Sequence, residues 1–281
     1  MPFSTIPFYL AIAAYVAAAI LSVRYARGAD PRLLFHAKRL AALGNTLLLA
    51  VFVLRWWRWE LLPLTGMGDS LNLMLILCTG IILIVQRDEA MRPLLCFYLP
   101  ALAFIAFVNG IAGPRYLSEA PRALDGIPLT IHMGMVFFAF ALFFVASLTS
   151  MGYVFKAQRL KRHNTTGLFQ RLPSLEQLDR SLFRLISIGY PLFVLTFLYS
   201  LYWAWTSREG LDQHWYISPK IAFAVAMAVL YGVSFHVRRF GLLRGPKLAY
   251  LVFYGFTTLL VVYLALNYTD LFTASFSGAD A

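Results

Sequence analysis

The chain has 281 residues, of which 60% are hydrophobic and only 13% are charged, and its formal net charge is +11. A mean hydropathy of +0.70 is typical of polytopic membrane proteins and excludes an ordinary soluble domain. The basic excess alone would fit a nucleic-acid partner, but its distribution along the chain excludes that class, as shown below.

The apolar residues fall into long uninterrupted segments. A helix needs about 20 mostly apolar residues to cross a bilayer core of about 30 Å. This rule predicts an all-α polytopic membrane protein, a bundle of about eight transmembrane helices in one integral membrane domain over residues 1–281. The predicted spans lie near residues 6–24, 37–55, 71–86, 93–113, 127–155, 185–205, 218–237 and 249–268.

The basic residues alternate between the two ends of these spans. Of the 24 Lys and Arg residues, 18 lie in segments 24–39, 87–92, 156–184 and 238–247. This is the positive-inside pattern, and it predicts that these four segments face the cytoplasm and that both termini lie outside. We therefore expect the lipid bilayer, with its anionic headgroups, to be the partner of this charge, and no nucleic acid.

Two features of the fourth span interrupt its apolar run. Pro100 can bend or break the helix, and Asn109 lies near the predicted outer end. Irregular or polar positions at membrane depth are tolerated where they line a cavity or are packed in protein. Asn109 therefore either lines a cavity or forms a hydrogen bond with another helix.

His132 lies about one turn below the predicted outer end of the fifth span. An ionisable residue within a span is costly to bury and usually faces the bundle interior or a cavity. A neutral imidazole is the commonest metal ligand and holds haem iron in many proteins. His132 is therefore either a haem-iron ligand or a hydrogen-bonded interior histidine.

The segment before the sixth span has a helical apolar pattern. After the sequence SLEQ at 174–177, the residues Leu178, Leu182 and Leu185 fall on one side of a helix. This pattern predicts an amphipathic helix that lies in the cytoplasmic interface of the bilayer.

A tryptophan-rich loop follows the sixth span at the outer face. It contains Trp203, Trp205 and His214, and such a loop is suited to holding a flat aromatic group. His214 is the one outer histidine that could be a second ligand beside His132. The alternative is a solvated loop histidine.

The seventh span ends in the sequence HVRR, which begins at His236. At 1.5 Å per residue, we expect His236 to lie roughly 25 Å deeper than His132, so the two cannot ligate one iron atom. His236 is either a ligand in a separate site, with Arg238 and Arg239 pairing haem propionates, or a member of the basic inner face.

Three stretches resemble the cytochrome c assembly protein family, the haem-handling membrane subunit of the System II route of cytochrome c maturation. PLTIHMGMVFFAFALFFVASLTSMGYVF resembles the helix that carries its first outer histidine. VLYGVSFHVRRFGLLRGPKLAYLVFYGF is similar to its histidine-x-arginine helix end, and RWWRWELLPLTGMGDSLNL to an earlier outer loop. The resemblance covers roughly residues 50–268.

This resemblance implies roles for individual residues. His132 matches an outer haem ligand, His236 matches a histidine associated with haem inside the membrane, and Trp203 and Trp205 match part of the aromatic loop that presents haem. It implies a protein that binds b-type haem and positions it for c-type cytochromes, without catalysis of its own. The implied partners are haem, another maturation membrane subunit or an apocytochrome.

The implied location is the plasma (inner) membrane of a bacterium, or an organelle membrane of bacterial origin. The chain departs from the family in two places. The aspartate of the tryptophan signature is absent, and the C-terminal sequence LNYTDLFTASFSGADA lacks the second outer histidine. The alternative function is therefore a structural or regulatory subunit of a larger complex, which keeps the family fold without binding haem.

Overall fold

The computed structural model describes residues 2–28, 30–59, 67–112, 127–163, 166–206, 219–242 and 245–277. Within these ranges all regular secondary structure is helical, which confirms the predicted fold class. The helices are α1 (Pro2–Gly28), α2 (Pro31–Trp59), α3 (Met67–Val85), α4 (Leu95–Ala112), α5 (Ile127–Lys161), α6 (Leu168–Arg171), α7 (Leu175–Thr206), α8 (Pro219–Arg239) and α9 (Pro246–Ser277), with a 3-10 helix (Glu89–Leu94) before α4.

The predicted transmembrane spans correspond to eight of these helices. In the described part of the chain, seven helices are long and apolar enough to cross a bilayer, and they contain residues 5–28, 31–57, 68–85, 89–111, 130–161, 175–202 and 221–239. Helix α9 supplies a shorter apolar segment, Pro246–Val262. The prediction of a polytopic membrane bundle is therefore confirmed.

Helix α5 lies at the centre of the bundle, where it contacts α3, α4, α7 and α9. A second group forms around α1, which packs against α2 and α4, while α8 packs against α7 and α9. Small residues permit the closest approaches, as is usual between membrane helices. A Cβ atom added at Gly189 of α7 would lie 2.8 Å from the ring of Phe143 on α5.

Polar side chains inside the bundle join helices by hydrogen bonds. The amide of Asn109 donates to the side-chain oxygen of Asn72 at 2.7 Å, and the hydroxyls of Tyr15 and Thr79 are hydrogen-bonded at 2.8 Å. Asn109 therefore forms the helix–helix hydrogen bond that was one of its two predicted roles. Pro100 does not break α4, which runs without interruption from Leu95 to Ala112.

The amphipathic stretch before the sixth span is part of the bundle, so its predicted place in the cytoplasmic interface is wrong. Ser174 and Gln177 form a capping box, in which each side chain accepts a hydrogen bond from the backbone N–H of the other. From this cap, α7 continues for 32 residues. The leucines of the apolar face are buried in the core: Leu178, Leu182 and Leu185.

Candidate functional site

His132 lies in the second turn of α5 and faces the C-terminal part of α7. Its Nε2 and the hydroxyl of Ser200 are hydrogen-bonded at 3.0 Å. The ring of Tyr199 lies beside the imidazole, with the two centroids 5.3 Å apart. The other ring nitrogen, Nδ1, is buried and has no hydrogen-bond partner within the described residues. His132 therefore has one ring nitrogen engaged and one available in a sheltered position.

His236 lies in the last turn of α8, and its ring orientation is fixed by the backbone. Its Nδ1 donates to the carbonyl of Gly232 at 2.8 Å. A carbonyl oxygen only accepts, so Nδ1 carries a proton, and in the neutral imidazole the lone pair is on Nε2. Metal-ligating histidines commonly make this outer bond to a carbonyl. The edge of Tyr190 lies against the imidazole at a centroid distance of 5.8 Å.

Arg238, two residues further along α8, is bonded to an acidic residue that the sequence analysis did not connect with it. Its guanidinium donates to the carboxylate of Asp179 at 2.5 Å and lies over the ring of Phe183, 5.4 Å from the centroid. The other carboxylate oxygen accepts the backbone N–H of Gly245 at 3.3 Å. This guanidinium is therefore committed within the protein, whereas Arg239 is exposed.

The two histidines contact the same helix, α7, at different levels. His132 contacts Tyr199 and His236 contacts Tyr190, so their contacts on α7 are nine residues apart. At 1.5 Å per residue, this spacing corresponds to about 14 Å along the helix axis. This spacing along α7 is shorter than the roughly 25 Å expected from the sequence, but it is still too long for both histidines to bind one iron atom. Two separate sites remain the consistent interpretation.

The tryptophan-rich segment after the sixth span, which is predicted to lie outside, is only partly within the described residues. Trp205, in the last turn of α7, is exposed. Trp203 belongs to the same turn, but its side chain lies outside the described part, and so does all of His214. The structure therefore leaves the role of this loop as a prediction.

The C-terminal end of α2 and the N-terminal end of α3 are joined by an ion pair. Both terminal nitrogens of Arg55 donate to the two carboxylate oxygens of Asp69. The adjacent Trp56 and Trp57 are exposed, which fits an interfacial anchor. Sequence reasoning did not find this pair, since neither residue by itself indicates the other.

A groove that sequence reasoning also missed runs between α3, α5 and α7. It has a volume of about 660 Å³, and we call it the α5–α7 groove. In the sequence, the lining residues of α5 and α7 are apolar residues at helical spacing. They could not be recognised as a groove, because every span contains such residues. The lining residues are Leu77, Ile131, Gly134, Met135, Phe138, Ile188, Pro191, Leu192 and Leu195.

Comparison with known proteins decides the family. The family model described as cytochrome C assembly protein matches residues 33–272. This chain belongs to the cytochrome c assembly protein family. The match includes both histidines and the tryptophan-rich loop, and it confirms the resemblance.

Curated relatives support the same assignment. The chain is 28% identical over 257 residues to the cytochrome c biogenesis protein CcsA of Prochlorococcus marinus (strain MIT 9303), covering 81% of this chain and 80% of that protein. It is 26% identical over 252 residues to the CcsA protein of Parasynechococcus marenigrum (strain WH8102), covering 81% and 82%. The similarity therefore covers about four fifths of this chain and of each relative.

Haem is the group that this family implies, and the described residues fit it. Within the described ranges, no three His, Cys, Asp or Glu side chains come together as a site for a bare metal ion. A haem needs only axial ligands from the protein, because the porphyrin supplies the others. His236 presents Nε2, because its Nδ1 is bonded to the carbonyl of Gly232, and Nε2 of His132 is bonded to the hydroxyl of Ser200, which a metal could replace. Each can therefore be a single axial ligand.

Proposed function

We propose that this protein binds haem and positions it for the maturation of c-type cytochromes. The observation that carries the proposal is the hydrogen bond from Nδ1 of His236 to the carbonyl of Gly232. It holds the imidazole as a ligand with Nε2 directed away from α8. Membership of the cytochrome c assembly protein family supports haem as the cargo.

Two levels of haem binding follow from the two histidines. His236 is the ligand at the inner level and His132 at the outer level. His132 would bind the iron through Nε2, which would then give up its hydrogen bond with Ser200. Trp203, Trp205 and His214 belong to the outer loop, where an aromatic platform would hold the ring of b-type haem. The protein makes no covalent bond itself.

The orientation follows from the charge distribution. The basic segments face the cytoplasm, and both termini lie on the outer side of the plasma (inner) membrane of a bacterium, or of an organelle membrane of bacterial origin. His132 is then near the outer leaflet, on the side where c-type cytochromes receive haem. Another maturation membrane subunit or the apocytochrome is the partner at that face.

A structural or regulatory subunit is the second candidate function, and two observations favour it. The C-terminal sequence lacks the family's second outer histidine. In addition, Arg238 is bonded to Asp179 and so does not supply a cation for a haem propionate. In this function the family fold is kept, haem is not bound, and the protein co-purifies with a larger complex.

The test is an absorption spectrum of the detergent-purified protein, oxidised and then reduced with dithionite, with haem quantified as the pyridine haemochrome. We expect a Soret band that is lost or shifted in His236→Ala and in His132→Ala. His36→Ala is the matched control, because His36 is exposed on α2. A haem-free spectrum from cells with ample haem would support the second function.

A further inference from the structure

We infer that Tyr190 is a positioning residue for His236. Its ring packs over Gly232 and against the imidazole, and it thereby preserves the hydrogen bond that leaves Nε2 of His236 free. This inference rests on the proposed function of His236 as a ligand, and it adds the contact from α7 that holds the imidazole ready. Three observations support it: the close approach of Tyr190 to Gly232, the origin of the rings around the imidazole, and the exposure of His236.

Tyr190 on α7 and Gly232 on α8 are in direct contact. A Cβ atom added at Gly232 would lie 3.0 Å from the hydroxyl oxygen of Tyr190, 3.2 Å from its Cε2 and 3.3 Å from its Cζ. These distances are shorter than ordinary van der Waals contacts, and Gly232 is buried. A glycine at this position therefore lets the phenol ring reach the backbone of α8, and a larger residue would push the ring away.

Gly232 also supplies the acceptor that orients the imidazole. Its carbonyl accepts the hydrogen bond from Nδ1 of His236 at 2.8 Å. The ring of Tyr190 meets the imidazole edge to face, with the centroids 5.8 Å apart and the planes at 83°. Tyr190 therefore contacts both the residue that accepts this bond and the ring that donates it, and it limits rotation of the imidazole away from the carbonyl.

The other rings beside His236 belong to its own helix. Phe235 lies edge-on to the imidazole at a centroid distance of 5.3 Å, and Phe240 lies at 6.3 Å. Among the ring contacts of His236 in the described ranges, only the one with Tyr190 comes from another helix. The packing of α7 against α8 therefore determines how firmly the imidazole is held.

His236 needs this support because its side chain is exposed at the end of α8. An exposed imidazole without its hydrogen bond samples several rotamers, and its proton can move to Nε2, which then has no lone pair for a metal. An imidazole that is already oriented avoids most of the entropy cost of ordering the side chain when a ligand binds. Tyr190 therefore favours ligand binding without touching the ligand.

The test measures the tautomer of His236 by NMR in haem-free protein labelled with ¹⁵N in histidine. Protonated and unprotonated ring nitrogens give separate signals, and comparison with His236→Ala assigns those of His236. We expect the proton on Nδ1 in the wild type and in Tyr190→Phe, which keeps the ring. We expect a mixture of both tautomers in Tyr190→Ala and in Gly232→Val, which displaces the ring. Tyr202→Ala is the matched control, because Tyr202 is exposed on the same helix.

The outcomes separate this inference from the proposed function. If Tyr190→Ala and Gly232→Val keep the proton on Nδ1, the positioning inference is wrong, whatever His236 binds. If these variants mix the tautomers but His236→Ala retains all its haem, the positioning stands and the proposed ligand is wrong. If both ideas hold, Tyr190→Ala should bind haem about tenfold more weakly and Tyr190→Phe like the wild type. Gly232→Val retains every ring, so it decides the question even if Tyr190→Ala does not fold.

Discussion

Asp179 and Arg238 form an ion pair across 59 residues of sequence, with a donor–acceptor distance of 2.5 Å. Asp179 lies near the start of α7, and Arg238 lies near the end of α8. The same carboxylate accepts the backbone N–H of Gly245, just before α9. One side chain therefore connects the start of α7, the end of α8 and the residue before α9, next to the turn that carries His236.

We expect Asp179→Asn to destabilise the protein by roughly 1–3 kcal/mol, between the values for exposed pairs and for fully buried ones. The two side chains are only 15% and 20% exposed, so the guanidinium would lose its charged partner in a sheltered place. The melting temperature in detergent measures this loss. Glu176→Gln is the control, because its pair with Arg180 is exposed, and an equal loss in both variants would contradict the prediction.

We expect Gly189→Ala to destabilise the bundle by roughly 1–3 kcal/mol, because the added methyl group overpacks a rigid contact. The ring of Phe143 cannot move away easily, since it is stacked on Tyr231 with a centroid distance of 3.5 Å. Gly80→Ala is the matched control in another span, where an added Cβ meets no atom within 4 Å. The comparison uses the melting temperatures of the two variants. A smaller loss in Gly189→Ala than in Gly80→Ala would show that the helices are not this close.

We expect Lys156→Met to loosen the inner segment between α5 and α7. The ammonium of Lys156 donates to the carbonyls of Leu172 at 2.7 Å and Pro173 at 2.8 Å, and each charge-assisted bond contributes about 1.5–3 kcal/mol. Chymotrypsin added to inverted membrane vesicles should therefore cleave this segment several-fold faster. The Lys161→Met variant, which is changed at an exposed position, should be cleaved at the wild-type rate. Equal rates in the two variants would exclude the role of Lys156.

We expect cysteine labelling to place the two ends of the spans on opposite sides of the membrane. In a variant without Cys78 and Cys96, Trp57→Cys should react with a membrane-impermeant maleimide in intact cells. Leu242→Cys should react only after the cells are permeabilised. Both side chains are well exposed, at 81% and 74%. The reverse pattern would overturn the orientation that the positive-inside rule predicts.

The eight spans could be predicted because hydropathy over about 20 residues is a local property. The position of the first turns of α7 could not be predicted in this way, although the capping box was visible in the sequence. The leucines 178, 182 and 185 are compatible both with a membrane surface and with a helix core. Only the packing against neighbouring helices decides between these two positions, and that packing depends on residues far away in sequence.

From the sequence, individual residues of the candidate site could be predicted, but their contacts with one another could not. His132 was found because an imidazole in an apolar span is rare. Its partner Ser200 is 68 residues away and is an ordinary serine in an ordinary span. The pairing of Arg238 with Asp179 was hidden for the same reason, since a basic helix end has several possible partners. The sequence therefore predicted the two histidines, but it did not predict the hydrogen-bond partners around them.

The proline within α7 has a mechanical consequence for the two histidines. Pro191 has no backbone N–H, so the carbonyl four residues earlier loses its usual helical partner and α7 has a point of lower bending stiffness there. Tyr190, which contacts His236, immediately precedes this point, and Tyr199, which contacts His132, lies beyond it. A change in the bend of α7 at Pro191 would therefore alter the position of one tyrosine relative to the other, and with it the spacing of the two histidine contacts.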